Sequence, residues 1–265
     1  LLKNVLKSHS IDAVVHFAGL KAVGESVEQP LMYFDNNVFG SISLLKAMQA
    51  NGIKILVFSS SATVYGNPEY LPIDESHPTG ATNPYGRSKL HVEEMLADLA
   101  TSDDSWRIAC LRYFNPVGAH ESGLIGEDPS GIPNNLMPYI ARVAAGKLAS
   151  LSVFGGDYPT ADGTGVRDYI HVMDLAQGHL AALDYLGSAT KACDVFNLGT
   201  GNGFSVLDMI QAFEQVSGVA VPYQITGRRA GDVSAMYAMA DKAHALLGWK
   251  AELGIDDMTR DGWNW

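Results

Sequence analysis

Tyr85 and Lys89 are the two residues of this sequence whose types and spacing best suit proton transfer. They lie four residues apart in the segment 83–89 (NPYGRSK), where Pro84 suits the first turn of a helix, so both side chains would share one helix face. A free tyrosine titrates near ~10, but a neighbouring ammonium stabilises its phenolate. The pair is therefore a candidate for acid/base chemistry, although the spacing alone is more typical of an exposed helical contact.

An apolar segment and a run of small, mostly hydroxyl residues precede this pair. Residues 54–58 (KILVF) predict a buried parallel strand, and residues 59–63 (SSSAT) follow where that strand would end. Since ligands of open α/β sheets bind beyond the carboxyl ends of the strands, a serine hydroxyl and the Tyr85 phenol are expected to face one crevice. The alternative interpretation of the serine run is a polar turn.

In this setting the Ser/Tyr/Lys set resembles that of the extended short-chain dehydrogenase/reductase family. Three further blocks, 115–119, 131–138 and 162–172, are similar to those of the UDP-glucose 4-epimerase family within it, and the likeness runs over essentially the whole chain. The resemblance implies an α/β fold with a Rossmann-like parallel sheet and a smaller α/β substrate-binding domain. It assigns residues 1–115 and 168–200 to the NAD-binding domain, and residues 116–167 and 201–265 to the UDP-sugar-binding domain.

The resemblance also implies roles for residues around the crevice. Tyr85 would take the proton of the sugar 4-OH, Ser61 would hydrogen-bond the same hydroxyl, and Lys89 would bind the nicotinamide ribose and lower the pKa of Tyr85. NAD is the implied cofactor, and the positions matched to its site are Phe17, Ala18, Gly19, Leu20, Lys21, Asn36, Tyr85, Lys89 and Phe114. A helix or turn cap is the alternative role for Asn36, since caps are common for asparagine.

The implied substrate is UDP-galactose or UDP-glucose. Arg167 and Arg229 match partners of its pyrophosphate, with which arginine forms bidentate pairs, and Asp232 matches a ribose contact. If Asp232 did not complete the family pattern, a solvated surface pair would be the favoured interpretation of Arg228 and Arg229. The other matched positions are Asn115, Asn134, Asn135 and Leu136 for sugar and diphosphate, Leu151, Ser152, Val153 and Phe154 along uracil, and Met236 at the pocket wall.

The implied reaction is NAD-dependent epimerisation at C4 through a 4-keto intermediate. Nucleotide-sugar 4,6-dehydratases resemble this chain but carry an Asp–Glu pair where Ala62 and Thr63 stand, so elimination is not expected. A UDP-N-acetylhexosamine 4-epimerase stays open as an alternative, because the wall residue Met236 is intermediate in size and flexible. The family is usually a homodimer that pairs two helices per subunit in a four-helix bundle, here the helices at 41–50 and from Tyr85.

Composition narrows the classes of partner. The chain has 265 residues with 47% hydrophobic and 18% charged side chains, and its net charge of −11 argues against nucleic acid. Two cysteines are too few for a disulfide framework, and the histidines show no metal-ligand spacing, so no metal is assigned. No apolar run approaches ~18 residues, so no membrane partner is expected, and a cytoplasmic location is the default.

Alternating strands and helices must position the candidate residues. Strands are predicted at 11–17, 54–58 and 108–114, with helices at 1–10, 41–50 and from Tyr85 to Leu99, an order that predicts a parallel sheet. The segment 168–186 is expected to return to this sheet as a strand and a helix. The segment 199–204 is predicted to be a tight turn, because Phe204 breaks the G-x-G-x-x-G spacing. Further helices are predicted at 135–147, 205–216 and 241–248.

The start of the sequence differs from the family pattern. A member should open with a strand and a Gly-rich turn whose following helix binds the pyrophosphate of NAD, whereas this sequence opens inside a later helix. The sequence is therefore expected to be a piece of a longer protein that lacks the N-terminal half of the NAD site. The strand at 11–17 would then be an exposed apolar edge, and an inactive UDP-sugar-binding fragment is an alternative function.

Overall fold

The computed structural model describes residues 1–129, 131, 133, 135–229 and 231–265. The strands are β1 (Ala13–His16), β2 (Ile55–Ser61), β3 (Arg107–Tyr113), β4 (Asn115–Val117), β5 (Leu151–Phe154), β6 (Val166–Arg167), β7 (Tyr169–His171), β8 (Cys193–Leu198), β9 (Phe204–Ser205), β10 (Tyr223–Thr226) and β11 (Ala235–Met236). The α-helices are α1 (Leu2–Ser8), α2 (Val23–Glu28), α3 (Pro30–Tyr33), α4 (Gly40–Gln49), α5 (Pro84–Ser102), α6 (Leu136–Ala144), α7 (Val172–Leu186), α8 (Val206–Ser217), α9 (Asp241–Leu247) and α10 (Ile255–Asn264). A π-helix at Phe34–Phe39 precedes α4, and a 3-10 turn at Ala62–Val64 follows β2.

Four parallel strands in the order β1-β2-β3-β8 form the central sheet, so the predicted α/β fold is confirmed. Helices cover both faces, because successive side chains of a strand point to opposite sides. Phe58 packs with α4 and α5, whereas its neighbour Val57 packs with α7 and α9. Within the described residues, β1 lies at one edge of this sheet.

The serine run belongs to β2 itself. Ser59, Ser60 and Ser61 continue the strand because they pair in register with the last three residues of β3. The polar-turn interpretation is therefore wrong, and the chain bends only at Ala62, where the 3-10 turn begins. This extension carries the three hydroxyls to the carboxyl edge of the sheet.

A second core lies beyond the central sheet. It contains α6, α8, α10 and β5, with Met209, Phe213 and Met258 almost fully buried. The strand β7 pairs with β4, so the expectation that the segment 168–186 adds a strand to the central sheet is wrong. Both α7 and the Ile170 side chain of β7 still pack on the central-sheet core. Trp249 also packs on the central-sheet core, although it lies within the segment 201–265.

The predicted helix starts and turns are present. Asn83 caps α5 by accepting from the Gly86 N–H at 2.8 Å, and Ser205 caps α8 in a capping box with Asp208. Residues 199–203 form a turn between β8 and β9, as predicted, whereas Phe204 is already the first residue of β9. Among the helices of the described residues, none has the length and apolar character needed to span a bilayer.

Candidate active site

The start of α5 lies against the bend that follows β2. A Cβ added to Gly86 would come 2.8 Å from the Thr63 carbonyl oxygen and 3.0 Å from the Ala81 side chain. Such a contact is too close for a side chain, so the position requires glycine. The close approach of helix and bend brings Tyr85 to the end of the strand that carries Ser61.

The structure brings the three predicted catalytic residues together. Lys89 is 4% exposed, and its ammonium donates to the Ser59 carbonyl at 2.6 Å. The Ser61 hydroxyl oxygen accepts from the Thr63 N–H at 3.2 Å and from the Thr63 hydroxyl at 2.9 Å. Since both of these bonds bring protons to Ser61, its own proton is available for the Tyr85 phenol oxygen that it contacts.

The direction of the Tyr85 pKa shift differs from the lowering that the sequence predicted. Burial raises the pKa of Tyr85 by more than its bond with Ser61 lowers it, so the net shift is upward. Burial also lowers the pKa of Lys89 to about 8, and the charge of Glu93 opposes that change. The expected lowering of the Tyr85 pKa by Lys89 is thus not seen here, because desolvation of the phenolate outweighs the stabilising contacts.

A buried asparagine on the π-helix holds the turn 17–21. Asn37 accepts from the Leu20 N–H at 2.8 Å and donates to the Leu20 carbonyl at 3.0 Å and to the Ser88 hydroxyl on α5 at 2.9 Å. The preceding residue, Asn36, is exposed, and Lys21 pairs with Glu127 at 3.4 Å on the surface. The turn is therefore fixed to α5 by Asn37 and leaves Asn36 accessible.

The turn 17–21 and Lys89 fit the nicotinamide ribose of NAD. A Cβ on Gly19 would come 3.5 Å from the Lys89 ammonium, so the turn runs directly beside it. The ammonium has three N–H donors and gives one to Ser59, which leaves donors for ribose hydroxyls. Phe17, Ala18 and Gly19 are exposed and can line one wall, while the matched residue Phe114 is buried beneath the crevice.

The predicted phosphate-binding arginines share one carboxylate. Asp232 lies 3.1 Å from Nε of Arg229 and 3.9 Å from Nη2 of Arg167. The Arg229 guanidinium also stacks 4.7 Å from the centre of the Phe154 ring on β5. Arg228, by contrast, points to a different partner, Asp157, at 2.7 Å. The structure thus brings Arg167, Arg229 and Asp232 together and leaves Arg228 apart.

The other substrate positions have mixed surroundings. Asn115 is exposed on β4, and its N–H donates to the Asp168 carbonyl at 2.9 Å. Asn135 precedes α6 and donates to Glu127 at 3.3 Å, whereas Met236 is buried beside Phe114. Leu136 is half-buried, Leu151 and Val153 are buried, Ser152 is half-buried and Phe154 is exposed. Asn134 lies outside the described residues.

Asp168 is a residue of the site region that the sequence reasoning missed. Its buried carboxylate accepts from the Thr200 N–H and hydroxyl, the Gly201 N–H and the Ala238 N–H at 2.7–3.1 Å. These bonds fix the turn 199–203 beside Arg167, the neighbour of Asp168 in the chain. Its place after Arg167 in the quoted block 162–172 was the available signal. Glu93 was missed too, although it lies four residues after Lys89, on the same helix face.

A parallel sheet with a serine at the carboxyl end of β2, together with a Tyr–Lys pair at the start of α5 and two arginines on β6 and in the loop before β11, defines a nucleotide-binding α/β protein of the short-chain dehydrogenase/reductase type. No group of three His, Cys, Asp or Glu side chains within the described ranges could hold a metal ion. The groups that the structure brings to the site are a phenol, an ammonium, hydroxyls and guanidinium groups.

Comparisons with known proteins agree with this class. The profile of a family described as GDP-mannose 4,6 dehydratase matches residues 1–262. A mouse (Mus musculus) protein named UDP-glucose 4-epimerase is 60% identical over 100% of this chain and 76% of its own length. The solved UDP-glucose 4-epimerase of Stenotrophomonas maltophila, with NAD and formylated UDP-arabinopyranose, superposes with a TM-score of 0.97 at 57% identity, over 100% of this chain and 78% of that one. That of Bifidobacterium longum, in complex with NAD+ and UDP, gives 0.95 at 57% identity, with the same coverage.

The chain therefore belongs to the UDP-glucose 4-epimerase family of extended short-chain dehydrogenases/reductases. The motifs quoted from the sequence and the whole-chain similarity lead to the same family.

Proposed function

We propose that this chain is an NAD-dependent isomerase that interconverts UDP-galactose and UDP-glucose through a 4-keto intermediate. The observation that carries the proposal is the position of Tyr85 and Lys89, one turn apart at the start of α5, against the end of the strand that carries Ser61. The relatives named UDP-glucose 4-epimerase and the neighbours crystallised with NAD support it.

Each residue of this corner has one task in the proposed reaction. Tyr85 takes the proton of the sugar 4-OH and later returns it, while Ser61 hydrogen-bonds the same hydroxyl. The turn 17–21 and Lys89 would hold NAD, which would supply the reversible hydride acceptor that the oxidation and reduction of C4 require. Because burial raises the pKa of Tyr85 in the free chain, the Lys89 ammonium must stabilise the phenolate at the moment of proton transfer.

The arginines supply the grip on the nucleotide. Arg167 and Arg229 bind the diphosphate, and Asp232, which holds both of them in the free chain, turns to the uridine ribose. The β5 segment lies along uracil, and Asn115, Asn135 and Leu136 complete the sugar pocket. A neutral keto sugar must turn over without leaving, so the binding energy belongs on the part of the substrate that does not react.

Two neighbouring activities are separated by residues at the pocket. A 4,6-dehydratase needs acid/base groups at C5 and C6, but Ala62 is an aliphatic side chain and the Thr63 hydroxyl donates to Ser61. Met236 is 9% exposed, in the same cluster as Tyr65 and Phe114, so a 2-acetamido group would need Met236 to move. We therefore propose the unacetylated sugars as substrates, and turnover of UDP-N-acetylgalactosamine at a similar rate would contradict this.

We also propose that the chain forms a homodimer through α4 and α5 and acts in the cytoplasm. Ile42, Leu45, Met95 and Leu99 line an open apolar groove between these two helices, which a four-helix bundle would cover. Sedimentation equilibrium checks the dimer, since a monomer mass over the micromolar range would contradict it. The proposed division of labour assigns NAD to residues 1–115 and 168–200, and UDP-sugar to residues 116–167 and 201–265.

The decisive experiment is conversion of UDP-galactose to UDP-glucose by this chain with NAD added. Tyr85→Phe should lower the rate by about 10²–10⁴-fold, the usual contribution of a positioned acid/base group, without weakening UDP binding. Tyr223→Phe, a change at an exposed position on β10, is the matched control and should leave the rate unchanged. Binding of UDP without any turnover by the unmodified chain would show that the binding-only alternative is correct.

A further inference from the structure

A row of polar side chains crosses the central sheet beneath the proposed catalytic residues. Ser60, Arg112 and Asn197 lie side by side on β2, β3 and β8, because each is the register partner of the next. All three are buried, at 1%, 5% and 0% exposure. Polar groups are costly in such a position unless they are bonded, so the row requires partners from outside the sheet.

Glu93 on α5 is the central partner of this row. Its carboxylate accepts from Nε of Arg112 at 3.0 Å and from Nη2 at 2.6 Å, and it accepts from the Ser60 hydroxyl as well. The Arg112 guanidinium also stacks 4.7 Å from the centre of the Tyr65 ring, whose hydroxyl donates to Asn197 at 2.6 Å. Glu93 and Arg112 are both almost fully buried, so this is an ion pair inside the protein.

The same helix contacts β2 at two consecutive residues. Lys89, one turn before Glu93, donates to the Ser59 carbonyl, and Glu93 accepts from Ser60. Ser61, which contacts Tyr85, is the next residue along the strand. The bonds of Glu93 therefore fix the height and rotation of α5 on the strand that presents the catalytic serine.

A buried ion pair is a weak source of stability, because desolvation offsets most of the attraction. Stability alone therefore does not explain why the Glu93 carboxylate lies one helical turn from Lys89, whose ammonium must be charged in the proposed reaction. We propose that Glu93, held by Arg112 and Ser60, is a positioning residue that keeps the Lys89 ammonium charged and aligned beside Tyr85. This inference rests on the proposed function for its catalytic consequence, but not for its effect on Lys89.

The groups that face Lys89 leave Glu93 as its source of negative charge. His16 on β1 is neutral at pH 7, because burial and the charge of Lys89 lower its pKa to about 4. Tyr85 on α5 and Tyr113 on β3 are neutral too, since burial raises the pKa of each phenol. Arg112 on β3 is a second cation, so its pairing with Glu93 also limits its repulsion of Lys89. Burial lowers the pKa of Lys89, and the carboxylate opposes that change.

The first test measures epimerase rate against pH for the unmodified chain and for Glu93→Gln. Glutamine has the same length and its amide oxygen can still accept from Arg112, so the change removes the charge with the least change of shape. It also leaves the Arg112 cation buried without a counter-charge, which costs stability. The alkaline limb of the kcat profile should move down by about one to three pH units, the range for loss of a neighbouring opposite charge, with the UDP affinity unchanged. Asp103→Asn, in the surface pair with Lys54, is the control and should not move the limb. An alkaline limb that stays in place would overturn the inference.

The second test does not depend on turnover. The Lys89 side-chain resonance, assigned with Lys89→Met, is followed against pH by NMR in the unmodified chain and in Glu93→Gln. The resonance should titrate at a pH lower by about one to three units in the variant, and equal titration in both proteins would overturn the inference even if no epimerase activity were found. If turnover is absent but Lys89 shifts, the proposed function fails while the charge-holding role of Glu93 stands.

Glu93→Asp covers the case in which Glu93→Gln does not fold. Aspartate keeps the charge but is one methylene shorter, so it should keep the alkaline limb in place and lower kcat through misalignment. A moved limb with unchanged kcat would contradict the inference. Titration of Lys89 below pH 7 in the unmodified chain would contradict it as well, because the lysine would then be neutral at the working pH.

Discussion

Two charged regions of the molecule are built in opposite ways. The buried corner comprises Ser60, Ser61, Tyr85, Lys89, Glu93 and Arg112, and the arginine corner comprises Asp157, Arg167, Arg228, Arg229 and Asp232. In the buried corner the Glu93–Arg112 pair has side-chain exposures of 6% and 7%. In the arginine corner the Arg229–Asp232 pair has exposures of 54% and 27%.

The difference shows which part of the proposed reaction needs fixed geometry. Proton transfer requires atoms held at hydrogen-bond distance, and the buried corner attaches its groups to a strand and a long helix. Diphosphate binding requires guanidinium groups that can leave one anionic partner for another. In the arginine corner these groups pair with carboxylates that are accessible to solvent. Exposed pairs of this kind have low energies, so a diphosphate can replace Asp232 at little cost.

The largest contrast is expected when one cation is removed from each corner. Arg112→Met leaves the Glu93 carboxylate buried without its partner, which should lower the free energy of unfolding by about 3–5 kcal/mol. Urea unfolding followed by circular dichroism measures it. Arg228→Met, which breaks the exposed pair with Asp157, is the matched change and should leave the urea midpoint nearly in place. Equal losses in the two variants would remove the distinction between the corners.

The acid stability of the chain gives the second contrast, because His16 on β1, which faces Lys89 of the buried corner, is a buried histidine that must stay neutral. Burial is the main cause that lowers the pKa of His16, from 6.5 to about 4, so the unfolded chain binds this proton more readily than the folded one. Protonation of His16 therefore does not affect the free energy of unfolding above about pH 7. As pH falls from 6.5 to 4, it lowers that free energy by about 3 kcal/mol in all. Urea unfolding at several pH values measures the loss.

His16→Gln tests the assignment of that loss, because glutamine can still bond Ser41 but does not titrate. Ser41 donates to the Asn37 carbonyl at 2.6 Å, so the His16 ring must donate to Ser41, and an amide N–H can replace it. The variant should lose about 3 kcal/mol less than the unmodified chain between pH 7 and pH 4. His9→Gln, at an exposed position, should not change the acid loss. A loss in His16→Gln as large as in the unmodified chain would place its origin elsewhere.

The sequence predicted the elements that follow local rules. The helix at Tyr85 was predicted because Pro84 is a start signal with a physical cause, and the strands were predicted from apolar runs. The length of β2 was not predicted, since three serines join a strand only when β3 supplies their partners. Similarly, the sequence did not predict that β7 pairs with β4 instead of joining the central sheet, because tertiary packing determines which strands pair.

The sequence predicted which residues form the candidate site, but it did not predict the directions of their pKa shifts. Sequence spacing brought Tyr85 and Lys89 to one face, whereas the sign of the Tyr85 pKa shift depends on how much water the fold removes. Asn37 and Asp168 bond to backbone groups of turns that are distant in sequence. Glu93 could have been found from its place four residues after Lys89, but its partner Arg112 comes from another strand.

The smallest expected effect is a difference between two arginines of the arginine corner, Arg229 and Arg228. Arg229→Gln removes a guanidinium that shares Asp232 with Arg167, so UDP should bind about tenfold to 100-fold more weakly, the range for loss of a charged hydrogen bond. At saturating substrate kcat should be nearly unchanged, because this contact is made equally before and during the reaction. Isothermal titration with UDP and steady-state rates measure the two quantities.

Arg228→Gln is the control, since it changes the adjacent residue in the same way. Arg228 stacks 4.2 Å from the centre of the Tyr158 ring and pairs with Asp157, a partner that Arg167 and Arg229 do not share. Its replacement should therefore change UDP affinity less than about threefold, as for other exposed ion pairs. If both variants weakened UDP equally, the diphosphate would be held by a diffuse positive surface, and the selective pairing around Asp232 would have no part in recognition.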